Sequence, residues 1–170
     1  MFGRSTKEKS KNETMSHMIK RILLPLKFTH VTDNAFAMAL KMAKCCQARL
    51  HILHLLDHRL RDPGVTDDQI AEFTGAAERQ FEDNYRQLLG DFKDFYFNCW
   101  EGDIAMETAK FAHSIGADFI IIGCHVRGDK PSHARLGEVA HALFQWAPCP
   151  VMLVPCELHR GKVTLVPQGS

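Results

Sequence analysis

GADFIIIGCHVRGDKPSHARLGEVAHALFQWAPCPVMLVP, residues 116–155, decides the fold of this chain. Its apolar run, residues 119–122, stops at a glycine, and a polar loop with a further glycine, Gly128, follows. Gly137 then opens an amphipathic helix, after which residues 151–154 form a second apolar run. This order predicts a strand, a loop of the anion-binding type, a helix and a strand. The loop stands where parallel α/β sheets bind their ligands.

The same alternation of strands and helices extends through most of the chain. Apolar runs of strand length predict five strands, at residues 19–26, 50–56, 95–100, 119–122 and 151–154. Apolar residues at helical spacing predict four helices, at about residues 33–46, 67–89, 104–115 and 135–146. Strands separated by helices form right-handed parallel crossovers. We therefore expect a single-domain, doubly wound α/β fold with helices on both faces of a parallel five-stranded sheet.

Two of these helices carry start signals. Thr32 or Asp33 can act as the N-cap of the first helix, because short polar side chains accept hydrogen bonds from the first free N–H groups. Thr66 and Gln69 form a capping box before the second helix. The apolar stripe that the second helix should turn toward the core comprises Ile70, Phe73, Ala77, Phe81, Tyr85 and Leu88.

Composition narrows the class of protein. A chain of 170 residues with 45% hydrophobic content is expected to form one domain with a sizeable core. Its formal charge of +1 gives no reason to expect nucleic acid or a membrane surface as a partner. No apolar run approaches the roughly 20 residues of a membrane span, and the N-terminus lacks an apolar signal region. Six cysteines without a CxxC pair favour a reducing, cytoplasmic location.

Two terminal segments stand apart from the predicted domain, which covers residues 18–155. Residues 1–17 are rich in lysine, serine and glutamate and lack periodicity, so we expect a disordered N-terminal tail. Residues 156–170 form a C-terminal tail with one β-prone run, KVTLV, at residues 162–166. This run could pair as an extra strand with the fifth strand of its own sheet or of a second copy.

Several motifs of residues 18–155 resemble the universal stress protein family. They are the opening RILLPL, the second strand ARLHILHLLD, the turn Glu101-Gly102-Asp103 and the whole of the stretch quoted above. The resemblance implies a sheet of order 3-2-1-4-5, a homodimer and a role in the stress response. It also implies that nucleotide-binding members hold adenine and ribose near the first two strands and phosphates in a loop of pattern Gly-x2-Gly-x9-Gly-Ser/Thr. The residues of this chain that match such a site are Pro25, Lys27, Gly123, Arg127, Gly128, Gly137 and Glu138.

The matched positions depart from the binding pattern in their chemistry. Lys27 follows the first strand, where binding members typically carry an acidic residue. Gly123 fits the first loop glycine, but Val126 replaces the second, and Gly128 misses the spacing. Glu138 replaces the hydroxyl residue and would repel a phosphate, at a cost on the order of 1 to 4 kcal/mol at about 4 Å. We therefore expect a degenerate site that does not retain ATP.

Three functions follow from these observations. The first is a stress-related regulatory protein, without catalytic residues, cofactor or metal, that acts through a protein partner. The second is a binder of ATP or AMP with a remodelled phosphate loop. Arg127, Lys130 and Arg135 favour it, because basic residues at a helix N-terminus can hold a small anionic ligand. The third, a nucleotide hydrolase or transferase of the related α/β superfamily, lacks both a hydroxyl phosphate ligand and an acidic metal ligand at the matched positions.

Two further pairs of side chains lead to expectations about distance and orientation. Lys27 and Glu138 are expected to approach each other, directly or through water, because the first and fourth strands of a 3-2-1-4-5 sheet are neighbours. His51 and His54 lie three residues apart on the second strand, so they should face opposite sides of the sheet. We therefore do not expect them to share a metal ion.

Overall fold

The computed structural model describes residues 19–56, 65–124 and 137–155. Its five strands are β1 (Arg21–Pro25), β2 (Arg49–Leu56), β3 (Phe95–Glu101), β4 (Phe119–Cys124) and β5 (Val151–Pro155). They form one parallel sheet in the order β3-β2-β1-β4-β5. The predicted fold class and strand order are confirmed. Both tails, with the run 162–166, and the loop residues Arg127 and Gly128 lie outside the described residues.

Four helices connect the strands. They are α1 (His30–Cys46), α2 (Asp67–Phe81), α3 (Ile104–Ile115) and α4 (Glu138–Trp146). After α2 the chain continues through a π-helical turn, Glu82–Arg86, and a short α-helical end, Gln87–Leu89. The predicted capping box is present, since the Thr66 hydroxyl accepts from the Gln69 N–H and the Gln69 side chain accepts from the Thr66 N–H. No helix within the described ranges has the length and apolar character that a membrane crossing requires.

The first helix begins earlier than the sequence predicted. Its N-cap is Thr29, which has an extended backbone, whereas Thr32 and Asp33 already lie inside the first turn. Thr32 does not accept hydrogen bonds as a cap would. Its hydroxyl instead donates to the carbonyls of Lys27 and Thr29, the latter at 2.9 Å. The prediction of Thr32 or Asp33 as the cap was wrong, because the helix starts at His30 and the Thr32 hydroxyl bonds to nearby carbonyls of the β1–α1 connection.

The core-facing stripe of α2 also differs from the prediction at two positions. Phe73 is 43% exposed and Leu88 is 55% exposed, although the helical spacing placed both in the core. Leu89 is fully buried instead of Leu88. A π-helical turn contains more residues than an α-helical turn, so the buried positions after Phe81 follow as Tyr85 and Leu89. Leu88 is thereby rotated to the surface.

The sheet separates two hydrophobic clusters. Alternate residues of β1 point to opposite faces, with Ile22 and Leu24 on one side and Leu23 on the other. The cluster of Ile22 and Leu24 also contains side chains of α1 and of the α2 segment, which we define as residues 67–89, whereas that of Leu23 contains side chains of α3 and α4. Helices therefore cover both faces, and the two helices that follow β1 and β4 diverge to opposite faces.

Candidate functional site

The crevice lies between the C-terminal ends of β1 and β4. These two strands pair directly, with Ile22 opposite Phe119 and Leu23 opposite Ile120. α1 leaves β1 toward one face, and α4 leads from β4 toward the other. Doubly wound sheets bind ligands where neighbouring connections diverge in this way. Five of the predicted site residues are among those described, and all five lie at this edge of the sheet. They are Pro25, Lys27, Gly123, Gly137 and Glu138.

The β1 side of the crevice is held by a tight connection. Pro25 ends β1, and the next residue, Leu26, donates its N–H to the Leu53 carbonyl at 2.8 Å. The Lys27 carbonyl then accepts from both the Thr29 N–H and the Thr32 hydroxyl. The side chain of Lys27 is exposed. The backbone of Lys27 thus fixes the start of α1, while its charge remains at the rim of the crevice.

His54 and Phe28 fill the space beside Lys27. The His54 Nδ1–H donates to the Leu26 carbonyl at 2.9 Å, and the Phe28 ring stacks on the imidazole with centroids 4.3 Å apart. Burial lowers the pKa of His54 and the charge of Lys27 lowers it further, whereas the bond to the Leu26 carbonyl opposes the shift. The imidazole is therefore neutral at physiological pH. The sequence indicated neither residue as part of the crevice, although an aromatic residue directly after a strand was a usable signal for Phe28.

Gly123 is required by packing. A Cβ atom at this position would lie 2.3 Å from the Val31 carbonyl oxygen and 3.2 Å from the Thr32 Cα. Both are backbone atoms of the first turn of α1, so they cannot move aside as a flexible side chain could. The φ angle of Gly123 is not positive. The close approach of α1 to β4 therefore accounts for this glycine without any ligand.

The α4 side of the crevice is open. Gly137 is the N-cap of α4, with φ −65° and ψ 158°, and no side chain caps the helix. Within the described part of the chain, a Cβ atom at Gly137 would meet nothing within 4 Å, and both Gly137 and Glu138 are exposed. Among the described residues, no ion pair joins Glu138 to Lys27. Both side chains are exposed, and their approach at longer range or through water stays a prediction.

The second strand separates its two histidines as predicted. His51 stacks on Tyr96 and meets Phe111 of α3 edge-on, so it faces the α3 side, whereas His54 meets Phe28 on the other face. Within the described ranges, no three histidine, cysteine or acidic side chains form a group that could hold a metal ion. In chemical terms the crevice presents a cation, a neutral imidazole and an uncapped helix N-terminus beside a carboxylate.

Comparisons with known proteins agree with this architecture. A family model described as the universal stress protein family matches residues 18–155. A putative universal stress protein of Staphylococcus aureus strain USA300 is 27% identical over 148 residues, which cover 81% of this chain and 85% of that protein.

Solved structures show the same likeness. A universal stress family protein from Burkholderia pseudomallei has 25% identity and a TM-score of 0.61, covering 81% of this chain and 97% of its own. The universal stress protein from Archaeoglobus fulgidus in complex with dAMP has 17% identity and a TM-score of 0.55, covering 80% and 98%. The domain match, together with the 3-2-1-4-5 sheet, shows that this chain belongs to the universal stress protein family.

Proposed function

We propose that this chain is a regulatory universal stress protein with a degenerate nucleotide site, which does not retain ATP and acts in the cytoplasm through a protein partner. The observation that carries the proposal is the sign of the charges at the crevice. Lys27 is exposed after β1, and Glu138 is exposed in the first turn of α4. Mg²⁺ prefers carboxylate and other oxygen ligands, and a phosphate prefers hydroxyl and N–H donors. Each position carries the charge that ATP-Mg disfavours.

Gly123 supports the same proposal. It matches the first glycine of the nucleotide loop, but α1 packing already requires a glycine there, since a Cβ would lie 2.3 Å from the Val31 carbonyl oxygen. Its presence therefore does not argue for a bound phosphate. His54 and Phe28 add to this reasoning, because their stacked rings occupy the ends of β1 and β2 with the chain's own side chains.

The test is nucleotide retention and thermal stabilisation. Purified protein is heat-denatured and its supernatant analysed for nucleotides by mass spectrometry, and the Tm is then measured with increasing ATP-Mg. We expect no retained ATP and almost no shift, because only a ligand well above its Kd stabilises the fold, by about 2.7 kcal/mol at 100 Kd. The variant Lys27→Asp with Glu138→Ser should bind better than either single variant. A saturable shift of several degrees in the unmodified protein would contradict the proposal.

A second function, binding of an adenine mononucleotide such as AMP, is favoured by Gly137. Its open space and uncapped helix N-terminus allow an anion to approach the backbone closely. The A. fulgidus relative in complex with dAMP provides an example of such a ligand in the family. Adding AMP, and in parallel inorganic phosphate, to the same thermal series distinguishes this function. A shift with AMP but not with ATP-Mg would favour the mononucleotide, and a shift with phosphate alone would favour a small anion.

We also propose that the protein is a homodimer joined along β5. This strand pairs only with β4, and no other described strand pairs with its second edge. The Pro150 carbonyl accepts from Ile120 on β4, so the backbone groups of alternate residues, Val151 and Leu153, point away from β4. An open apolar edge favours antiparallel pairing with a second copy.

The dimer is tested by removing one outward N–H group. Leu153→Pro should convert the dimer into a monomer in light scattering at tens of micromolar, because proline cannot donate to the partner strand. Leu153→Ala is the matched control, since it loses the same side chain but keeps the N–H. A monomeric unmodified protein, or a dimer that persists in Leu153→Pro, would contradict the β5 interface.

A further inference from the structure

A groove runs along α1 on the side that faces the α2 segment, with a largely polar lining beside Asn84 and a largely apolar surface beside Leu40. It consists of two adjoining cavities of about 320 and 600 Å³, which share Asp33 and Leu88. We call it the α1–α2 groove and define it by Phe28, Asp33, Phe36, Leu40, Tyr85 and Leu88. The groove extends along the outer surface of α1 and meets the crevice between β1 and β4 at Phe28.

The π-helical turn creates the apolar wall of this groove. By shifting Leu89 into the core, the turn places Leu88 at the surface with 55% of its area exposed. Tyr85, inside the turn, donates its hydroxyl to the Asp33 carboxylate at 2.7 Å and so joins the two walls. Phe36 is almost fully buried beneath them. Leu88 adjoins Ala37 and the half-buried Leu40 in the same cavity, and a contiguous apolar surface of this kind can bind another segment.

β5 ends beside the N-terminal turns of α1, and the C-terminal tail begins there. The Asn34 side chain donates to the Pro155 carbonyl at 3.3 Å, and Asn34 is adjacent to Asp33 in the first turns of α1. At least fifteen residues follow Pro155. In extended form they span up to about 50 Å. Crossing the helix takes about 10 Å, and the groove from Asp33 to Lys44 is roughly 17 Å long. The tail can therefore reach the groove and line its full length.

We propose that residues 162–166, KVTLV, bind in the α1–α2 groove. In this position, the leucines of the groove, Leu40 and Leu88, contact apolar side chains of the tail. These are Val163, Leu165 and Val166. Lys162 enters at the Asp33 end, where its charge is complementary. This position differs from pairing with β5, and it leaves the β5 edge available for a second copy.

Photo-crosslinking tests the proposal directly. Leu88 or Phe73 is replaced by p-benzoylphenylalanine in the full chain, and the crosslinked peptides are identified by mass spectrometry. Both residues are exposed apolar side chains of the α2 segment, but Phe73 does not line the groove. We expect crosslinks from position 88 to residues 162–166 and none from position 73. A crosslink from position 88 to residues 162–166 of a second copy would also support the groove as the binding site of the tail. Crosslinks from 88 to any other segment, or to none, would overturn the proposal.

A double-mutant cycle provides an independent readout. Truncation after Pro155 should lower the Tm by a few degrees in the chain that carries Leu88, because the apolar wall loses its cover. In the Leu88→Asp background the truncation should have almost no effect, since the tail no longer binds there. Leu88 is exposed, so this variant is expected to fold. Equal effects of truncation in both backgrounds would exclude the groove as the site of the tail.

Discussion

The two sides of the crevice differ in how far the chain itself occupies them. On the β1 side, the Thr32 hydroxyl, the Lys27 carbonyl and the stacked rings of His54 and Phe28 satisfy one another, and Gly123 lies directly against α1. On the α4 side, Gly137 is an N-cap without a side chain, and no other described residue comes within 4 Å of the place of its Cβ. A glycine of a ligand-binding motif can therefore have a structural cause on one side of a site and none on the other. Substitutions can test this difference.

Gly123→Ala should have the largest effect. The added Cβ would lie 2.3 Å from the Val31 carbonyl oxygen, and α1 would have to move away from β4. Overpacking against backbone costs typically 1 to 3 kcal/mol, and we expect about 3 kcal/mol here. Urea denaturation followed by circular dichroism measures the loss. A change below about 1 kcal/mol would mean that α1 can shift without cost, and the contrast between the two sides would disappear.

Thr32→Val should have the next largest effect. It removes the hydroxyl that donates to Lys27 and Thr29 but keeps the shape of a residue that is only 7% exposed. Because both carbonyls also accept backbone N–H groups, we expect a loss of about 1 to 2 kcal/mol in the same assay. Thr32→Ser, which retains the hydroxyl, is the control. If valine and serine destabilise equally, the hydroxyl does not stabilise the connection.

The pH dependence of stability should report the buried His54. Its pKa is lowered from 6.5 in the folded protein, chiefly by burial. The unfolded chain therefore binds a proton first, so stability is present above pH 6.5 and decreases as the pH falls through the folded pKa. We expect the free energy of unfolding of the His54→Phe variant to decrease less between pH 7 and pH 5 than that of the unmodified protein. Burial also lowers the pKa of His51, which lies on the opposite face of the sheet, so this histidine is the matched control position. An unchanged slope in His54→Phe would contradict the neutral, stacked imidazole.

Gly137→Ala should have the smallest effect. Its φ of −65° suits alanine, and the added Cβ meets open space, so we expect a change within about 0.5 kcal/mol. Gly137→Ser provides a comparison, because serine can cap α4 and should stabilise it slightly. A large destabilisation by alanine would indicate that a part of the chain outside the described residues packs on Gly137.

Periodicity predicted the elements well where one face of each element meets the core throughout. The stripe of α3 and the runs of β1 to β5 follow this rule. The order of the strands within the sheet came from the family resemblance and is confirmed. The prediction failed at Leu88, where a π-helical turn shifts the buried position to Leu89. Apolar residues stand at both positions, so no pattern of hydrophobicity could distinguish them.

The sequence likewise predicted one part of the candidate site and missed another. Sequence reasoning brought Pro25, Lys27, Gly123, Gly137 and Glu138 to one edge of the sheet, because residues that follow parallel strands share an edge. It did not find His54 and Phe28, whose stacking depends on a contact between residues 26 positions apart. Nor did it assign the hydroxyl of Thr32, which is a cap in isolation and a donor in the folded chain.

The amino-acid sequence by itself determined the fold class, the order of elements and the charges that surround the crevice, because these depend on local periodicity and on residue identity. Only the tertiary structure decided why Gly123 must be a glycine, why Gly137 need not be, and where Leu88 faces. Each of these depends on how closely a second element approaches, a distance that arises only when α1, α2 and the sheet pack together.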